Sequence, residues 1–97
     1  MAKYGYPTAF NLQNTIVVSV GGSSTQSSAL SNNMNYYRLV STVDTLVEMG
    51  ENPTADSNSM LLPAFTIEYV TAPVGSKIAV KQHGSQSGSF YITHGIR

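Results

Sequence analysis

The sequence predicts an all-β domain, a small antiparallel β-sandwich or jelly-roll-like barrel of about 7–8 short strands with an extended N-terminal arm. Three observations carry this. Apolar residues recur at every second position through short runs such as Phe65-Thr66-Ile67-Glu68-Tyr69-Val70, the period of a half-buried strand. Turn chemistry breaks these runs at close intervals, most clearly at Gly50-Glu51-Asn52-Pro53, Leu62-Pro63-Ala64 and Ala72-Pro73-Val74-Gly75, because proline presets φ and glycine admits positive φ. Helical periodicity is not sustained: the best competing segment, Ser41 to Met49, sets Val40, Val43, Leu46 and Val47 on a helical stripe, yet β-branched neighbours and the Gly50–Pro53 turn favour strands.

The elements follow in order. Residues 1–13 hold Tyr4, Tyr6 and Phe10 with Gly5 and Pro7 between them. Pro7 confines Tyr6 to extended geometry, so the segment reads as an arm of aromatic anchors. It either reaches a neighbouring subunit or lies across its own domain, since aromatics are favoured in both places. The β-sandwich proper is expected over residues 14–97. Asn14 to Val20 is its first strand, with Ile16, Val18 and Val20 on one face and Val17 and Ser19 on the other, and Gly21-Gly22-Ser23-Ser24 ends it. Ser23 to Asn35 is rich in Ser and Asn, whose side chains compete for backbone hydrogen bonds, leaving Gln26 to Leu30 as a short edge strand.

Asn35 to Thr42 is the next strand, with Tyr37 and Leu39 inward and Arg38 and Val40 outward. Apolar residues on both faces imply that a partner sheet covers one and a neighbouring subunit the other. Thr45, Val47 and Met49 alternate with Leu46 and Glu48, and Asn52 to Ser59 is a polar loop. Ser59 to Leu62 is a short edge-like strand stopped by Pro63. Phe65, Ile67 and Tyr69 then alternate with Thr66, Glu68 and Val70, and Ile78 and Val80 face inward with Lys77, Ala79 and Lys81 out. A Gly/Ser turn over His83 to Gly88 leads into Ser89 to His94, with Phe90 and Ile92 inward. The expected core is Ile16, Val18, Leu39, Val47, Phe65, Ile67, Ile78, Val80, Phe90 and Ile92.

Composition narrows the function. The chain has 97 residues, enough for one domain. Its formal net charge is zero, with 41% apolar and 10% charged residues. Weak charge removes self-repulsion and favours association, so a homo-oligomer is expected. There are no cysteines, which rules out disulfides and thiolate metal sites. No apolar run approaches the roughly 20 residues that span a bilayer, so no membrane role is expected. Met1 to Phe10 lacks the apolar core of a secretory signal.

The residue patterns of catalysis are missing. His83 and His94 are the only histidines and match no metal-ligand spacing. Serines abound without a G-x-S-x-G elbow. Gly21-Gly22-Ser23-Ser24 lacks the Gly-Lys-Ser/Thr ending of a phosphate loop and reads as a strand-ending turn. Asp44, Glu48 and Glu51 fit no calcium loop. Lys77 and Lys81 are the only close basic pair, too little for a nucleic-acid groove. No enzyme activity, cofactor, metal or nucleic-acid partner is expected.

The run Arg38-Leu39-Val40-Ser41-Thr42, then Val47 through Ala55, Met60-Leu61-Leu62-Pro63-Ala64, Glu68-Tyr69 and Gly75 through Val80 resembles a pattern in the small β-sandwich structural proteins of tailed bacteriophages. It covers Tyr37 to Thr93, and its most specific words are G-x-N-P-T-A and L-P-A; Asp56 to Ser59 and the N-terminal third lie outside it. The resemblance implies a virion component without catalytic residues, assembled in the host cytoplasm. The expected function is that of a capsid decoration (cement) subunit, bound to the major capsid protein or other virion proteins. Tyr4, Tyr6 and Phe10 in the arm, with Ile96 and Arg97 at the other end, are the expected contacts. Two alternatives stand: a tail, neck or fibre component, and a receptor- or glycan-binding module presenting Tyr36, Tyr69 and Tyr91.

Overall fold

The turns and alternations resolve into eight strands among the described residues, and no helix. The structure is a computed structural model that describes the backbone of residues 9–30 and 36–96 and the side chains of residues 15–30 and 36–95. One antiparallel sheet, sheet I, contains β1 (Ala9–Val20), β8 (Gly88–Ile96), β3 (Tyr36–Ser41) and β6 (Glu68–Thr71), in that spatial order. The other, sheet II, contains β2 (Thr25–Gln26), β7 (Lys77–Gln82), β4 (Thr45–Gly50) and β5 (Met60–Leu62). The chain changes sheet at every connection except β4–β5. This weaving is why the turn clusters are so frequent: every connection but that one must carry the backbone to the other layer.

The two sheets close on one apolar core. Val18 and Val20 of β1, Tyr37 and Leu39 of β3, and Phe90 and Ile92 of β8 meet Val47 of β4, Leu62 of β5, and Ile78 and Val80 of β7. Each large side chain taken from water contributes about 1.5–3 kcal/mol. Leu30 completes the layer between sheets. Its N–H donates to the Ser76 carbonyl at 2.8 Å, and its own carbonyl accepts from the Gly75 N–H at 2.7 Å. That clasp needs Gly75 at φ 95°, a conformation side chains disfavour. Gly88 is needed for a different reason: a Cβ there would collide with the Thr42 hydroxyl and press on the Val43 methyls.

Much of the expected inward face is observed. The segment from Ser41 to Met49 forms a turn and β4, not a helix. β1 begins at Ala9, so strand structure takes in residues 9–13 of the expected arm, with a register shift between Phe10 and Thr15. Residues 1–8 lie outside the described residues. Of the expected core, Ile16 is only partly buried, and two residues lie in solvent: Phe65 is 72% exposed and Ile67 45%. The chain leaving β5 must cross from sheet II to sheet I, and Pro63 to Thr66 is consumed by that turn, closed by the Thr66 N–H on the Pro63 carbonyl at 3.2 Å. β6 therefore starts at Glu68 with the opposite pleat, and Val70 rather than Tyr69 packs on the core.

Candidate interaction face

The outer surfaces of the two sheets differ, and the difference starts with one loop. After Gly50 the chain runs Glu51-Asn52-Pro53-Thr54-Ala55 across the back of sheet II. Gln26 anchors it there: its Nε2 donates to Asn52 Oδ1 and to the Pro53 carbonyl, both at 2.8 Å. The Ala55 N–H donates to Ser24 Oγ at 2.9 Å. Ala55 thereby buries Leu46 and Ala79, which point away from the main core, in a second small cluster. This explains why Ala79, expected to face outward, is fully buried. The G-E-N-P-T-A segment is a strap over the middle of that outer face; Leu61, opposite Leu46 at its edge, stays 45% exposed.

Sheet I has no such cover among the described residues. Its ladders fix which side chains share the open face: Val17 lies opposite Tyr91, and Tyr91 opposite Val40. One row along, Thr15 lies opposite Thr93, Thr93 opposite Arg38, and Arg38 opposite Tyr69. Within that second row, the Thr15 and Thr93 hydroxyls share a hydrogen bond of 3.1 Å, which accounts for an outward threonine that is nevertheless buried. Val17 is 56% exposed, Tyr69 54% and Tyr91 36%. Ile67 and Phe65, both exposed, lie in the chain just before β6. Tyr36, Tyr69 and Tyr91, the residues expected of a receptor- or glycan-binding module, are brought to one face by register.

Phe65 stands apart. It holds φ 58°, the left-handed region that a side chain enters at a cost of about 1–2 kcal/mol. Its N–H donates to the Ser41 carbonyl at 2.7 Å, which pins the turn to the end of β3. An aromatic ring is thus kept in water on a strained backbone at the end of β3.

The groups considered for chemistry are spread apart and used structurally. Asp44 Oδ1 accepts the Ala64 N–H at 2.8 Å, holding the β5–β6 turn. Glu48 Oε1 accepts the Ser59 hydroxyl at 2.8 Å. Gly21 ends β1, its carbonyl accepting from the Gln82 N–H. His83 is exposed on the β7–β8 connection. His94 sits on β8 with its ring edge-on to Tyr37, centroids 5.3 Å apart, and its Nε2 is enclosed without a hydrogen-bond partner. Burial lowers its pKa below the ordinary histidine value. Among the described residues no three His, Asp or Glu side chains form a metal-ligand set, and no helix is long and apolar enough to cross a membrane.

The contacts expected from sequence are Tyr4, Tyr6, Phe10, Ile96 and Arg97. Tyr4, Tyr6 and Arg97 lie outside the described residues. Phe10 and Ile96 are placed only by backbone, in the β1–β8 ladder. Sequence reasoning did not pick out Val17, Ile67 or Phe65 as surface contacts. The signal for Val17 was present, since it faces away from Ile16 and Val18; Phe65 and Ile67 were assigned to the core. Compared with family models, curated proteins and solved structures, the chain matches none.

Proposed function

We propose that this protein is a structural subunit that acts by binding other proteins through the outer face of sheet I. The observation that carries the reading is the contrast between the two outer faces. The chain spends a strap on covering Leu46 and Ala79 of sheet II, and leaves Val17, Tyr69 and Tyr91 exposed on sheet I with Ile67 exposed just before β6. Contiguous exposed apolar surface of this kind marks interaction sites, and aromatic residues supply most of the binding energy at such sites.

The narrower setting is the virion of a tailed bacteriophage, with the chain as a decoration subunit on the head shell. It rests on the resemblance over Tyr37 to Thr93. In that setting the work is mechanical: many copies, each burying a modest area, sum weak contacts by multivalency. The tail, neck or fibre position is distinguished by copy number. A count matching the shell subunits assigns the chain to the head; a count set by a single vertex assigns it to the neck or tail.

The test is occupancy of particles. The double variant Tyr91→Thr, Ile67→Thr keeps strand-forming residues while removing apolar surface. It should fold normally and be lost from particles that carry the wild-type chain. Full occupancy by the variant would reject the face, and absence of the wild-type chain from particles would reject the virion setting. A glycan-binding reading draws on the same three tyrosines beside Arg38. Saturable binding of the purified domain to a glycan array would favour it.

A further inference from the structure

We infer that the Thr15–Val20 half of β1 is a self-pairing edge, which joins two copies of this chain into one continuous eight-stranded outer sheet. The proposal concerns the strand edge; it shares Val17 with the open face proposed above, and it is tested by self-association rather than by particle occupancy.

A four-stranded sheet has two edges, so two sheets present four: β1 and β6 on sheet I, β2 and β5 on sheet II. Unpaired strand edges recruit further strands unless they are short, charged or interrupted by proline. Three of the four are protected in this way. β2 has two residues. β5 has three and runs straight into Pro63. β6 has four, begins at Glu68 and is followed within two residues by Pro73. β1 has twelve residues, Ala-Phe-Asn-Leu-Gln-Asn-Thr-Ile-Val-Val-Ser-Val, with no charge, proline or glycine. The register shift between Phe10 and Thr15 disturbs its first half, whereas Thr15 to Val20 pairs regularly with β8. That half offers a straight, uncharged ladder with no strand on its far side among the described residues.

The occupant that fits is a second β1. Antiparallel pairing of a strand with itself is two-fold symmetric, so one residue faces its own copy. Placing Val17 at the axis opposes Thr15 to Ser19 and Ile16 to Val18, which keeps each side chain on its own face of the sheet. On the outer face, the row Val40–Tyr91–Val17 then continues into Val17–Tyr91–Val40 of the second copy. On the inner face, Ile16, which is only partly buried in the single chain, gains the second copy's Val18 as its neighbour. The neutral strand brings no like charges together.

Sedimentation velocity and light scattering across a concentration series test this on the full chain. The wild type should dimerise. Val17→Lys and Val17→Glu, each placing like charges at the axis, should each weaken self-association about ten-fold or more. Both should keep the wild-type circular dichroism, because Val17 already faces solvent. Mixing the two variants should restore a heterodimer, which an unfolded or merely damaged strand would not do. Val17→Cys, in a chain without other cysteines, should oxidise to a covalent dimer. A wild type that stays monomeric to about 1 mM overturns the proposal, as does a Val17→Lys dimer as tight as the wild type's. A wild-type dimer that is absent from particles leaves it standing and removes the virion setting instead.

Discussion

Replacing Phe65 by glycine separates stability from function. If Phe65 is held in the left-handed region for the sake of binding, the isolated domain is less stable for having it. Removing the Cβ relieves about 1–2 kcal/mol of backbone strain. Glycine returns about 0.5–1 kcal/mol of that by loosening the unfolded chain. Little burial is lost, because the ring is 72% exposed, and the backbone bond from the residue 65 N–H to the Ser41 carbonyl survives. The central balance is a gain of about 0.75 kcal/mol, or roughly 3–6 °C in Tm for a domain of this size. Thermal unfolding followed by circular dichroism reads that shift, and particle occupancy reads binding. A more stable Phe65→Gly protein that binds less well is the expected outcome. A fall in Tm would show that the ring packs on the fold and would refute the reasoning, and so would higher stability with undiminished occupancy.

Two further outcomes follow from groups inside the fold. The Ser41 and Thr45 hydroxyls share a buried hydrogen bond of 2.6 Å, and Thr45 Oγ1 also donates to the Val43 carbonyl at 2.7 Å; Thr45→Val keeps the shape but strands these partners, so chemical denaturation should show a loss of about 1–3 kcal/mol. His94 binds its proton less readily folded than unfolded, because burial disfavours the charged ring. Its contribution is therefore complete above the unfolded value of about 6.5 and is lost as pH falls from there toward the lower folded value; His94→Gln should flatten that acid limb in a Tm-against-pH series.

How much of this was legible in the sequence depended on the scale of the cause. β3, β7 and β8 could be read because their alternation is local: Tyr37 and Leu39, Ile78 and Val80, and Phe90 and Ile92 are all buried as the pleat requires. β6 could not be read in the same way. Phe65, Ile67 and Tyr69 alternate as cleanly, but the pleat is set by where the preceding turn ends, and that turn extends through Thr66. The G-E-N-P-T-A stretch is legible as turn chemistry, yet its role as a strap depends on Gln26 and Ser24, far off in sequence. Edge status is the least legible property of all. Nothing within Asn14 to Val20 distinguishes an edge from a central strand, because strand order is decided by the whole topology.

The two most specific words of the phage-like pattern acquire physical roles from the fold. G-x-N-P-T-A becomes the strap that closes the back of sheet II over Leu46 and Ala79. L-P-A becomes the crossing turn, held by Asp44 through the Ala64 N–H, that leaves Phe65 in solvent at the end of β3. One word removes apolar surface from water and the other adds it. A domain under selection for solubility alone would gain from closing both faces, and a strained exposed phenylalanine works against it twice, through backbone conformation and through apolar exposure. The arrangement makes physical sense when the open face is covered in the working state, where burying Phe65 and Tyr91 offsets what they cost the free chain.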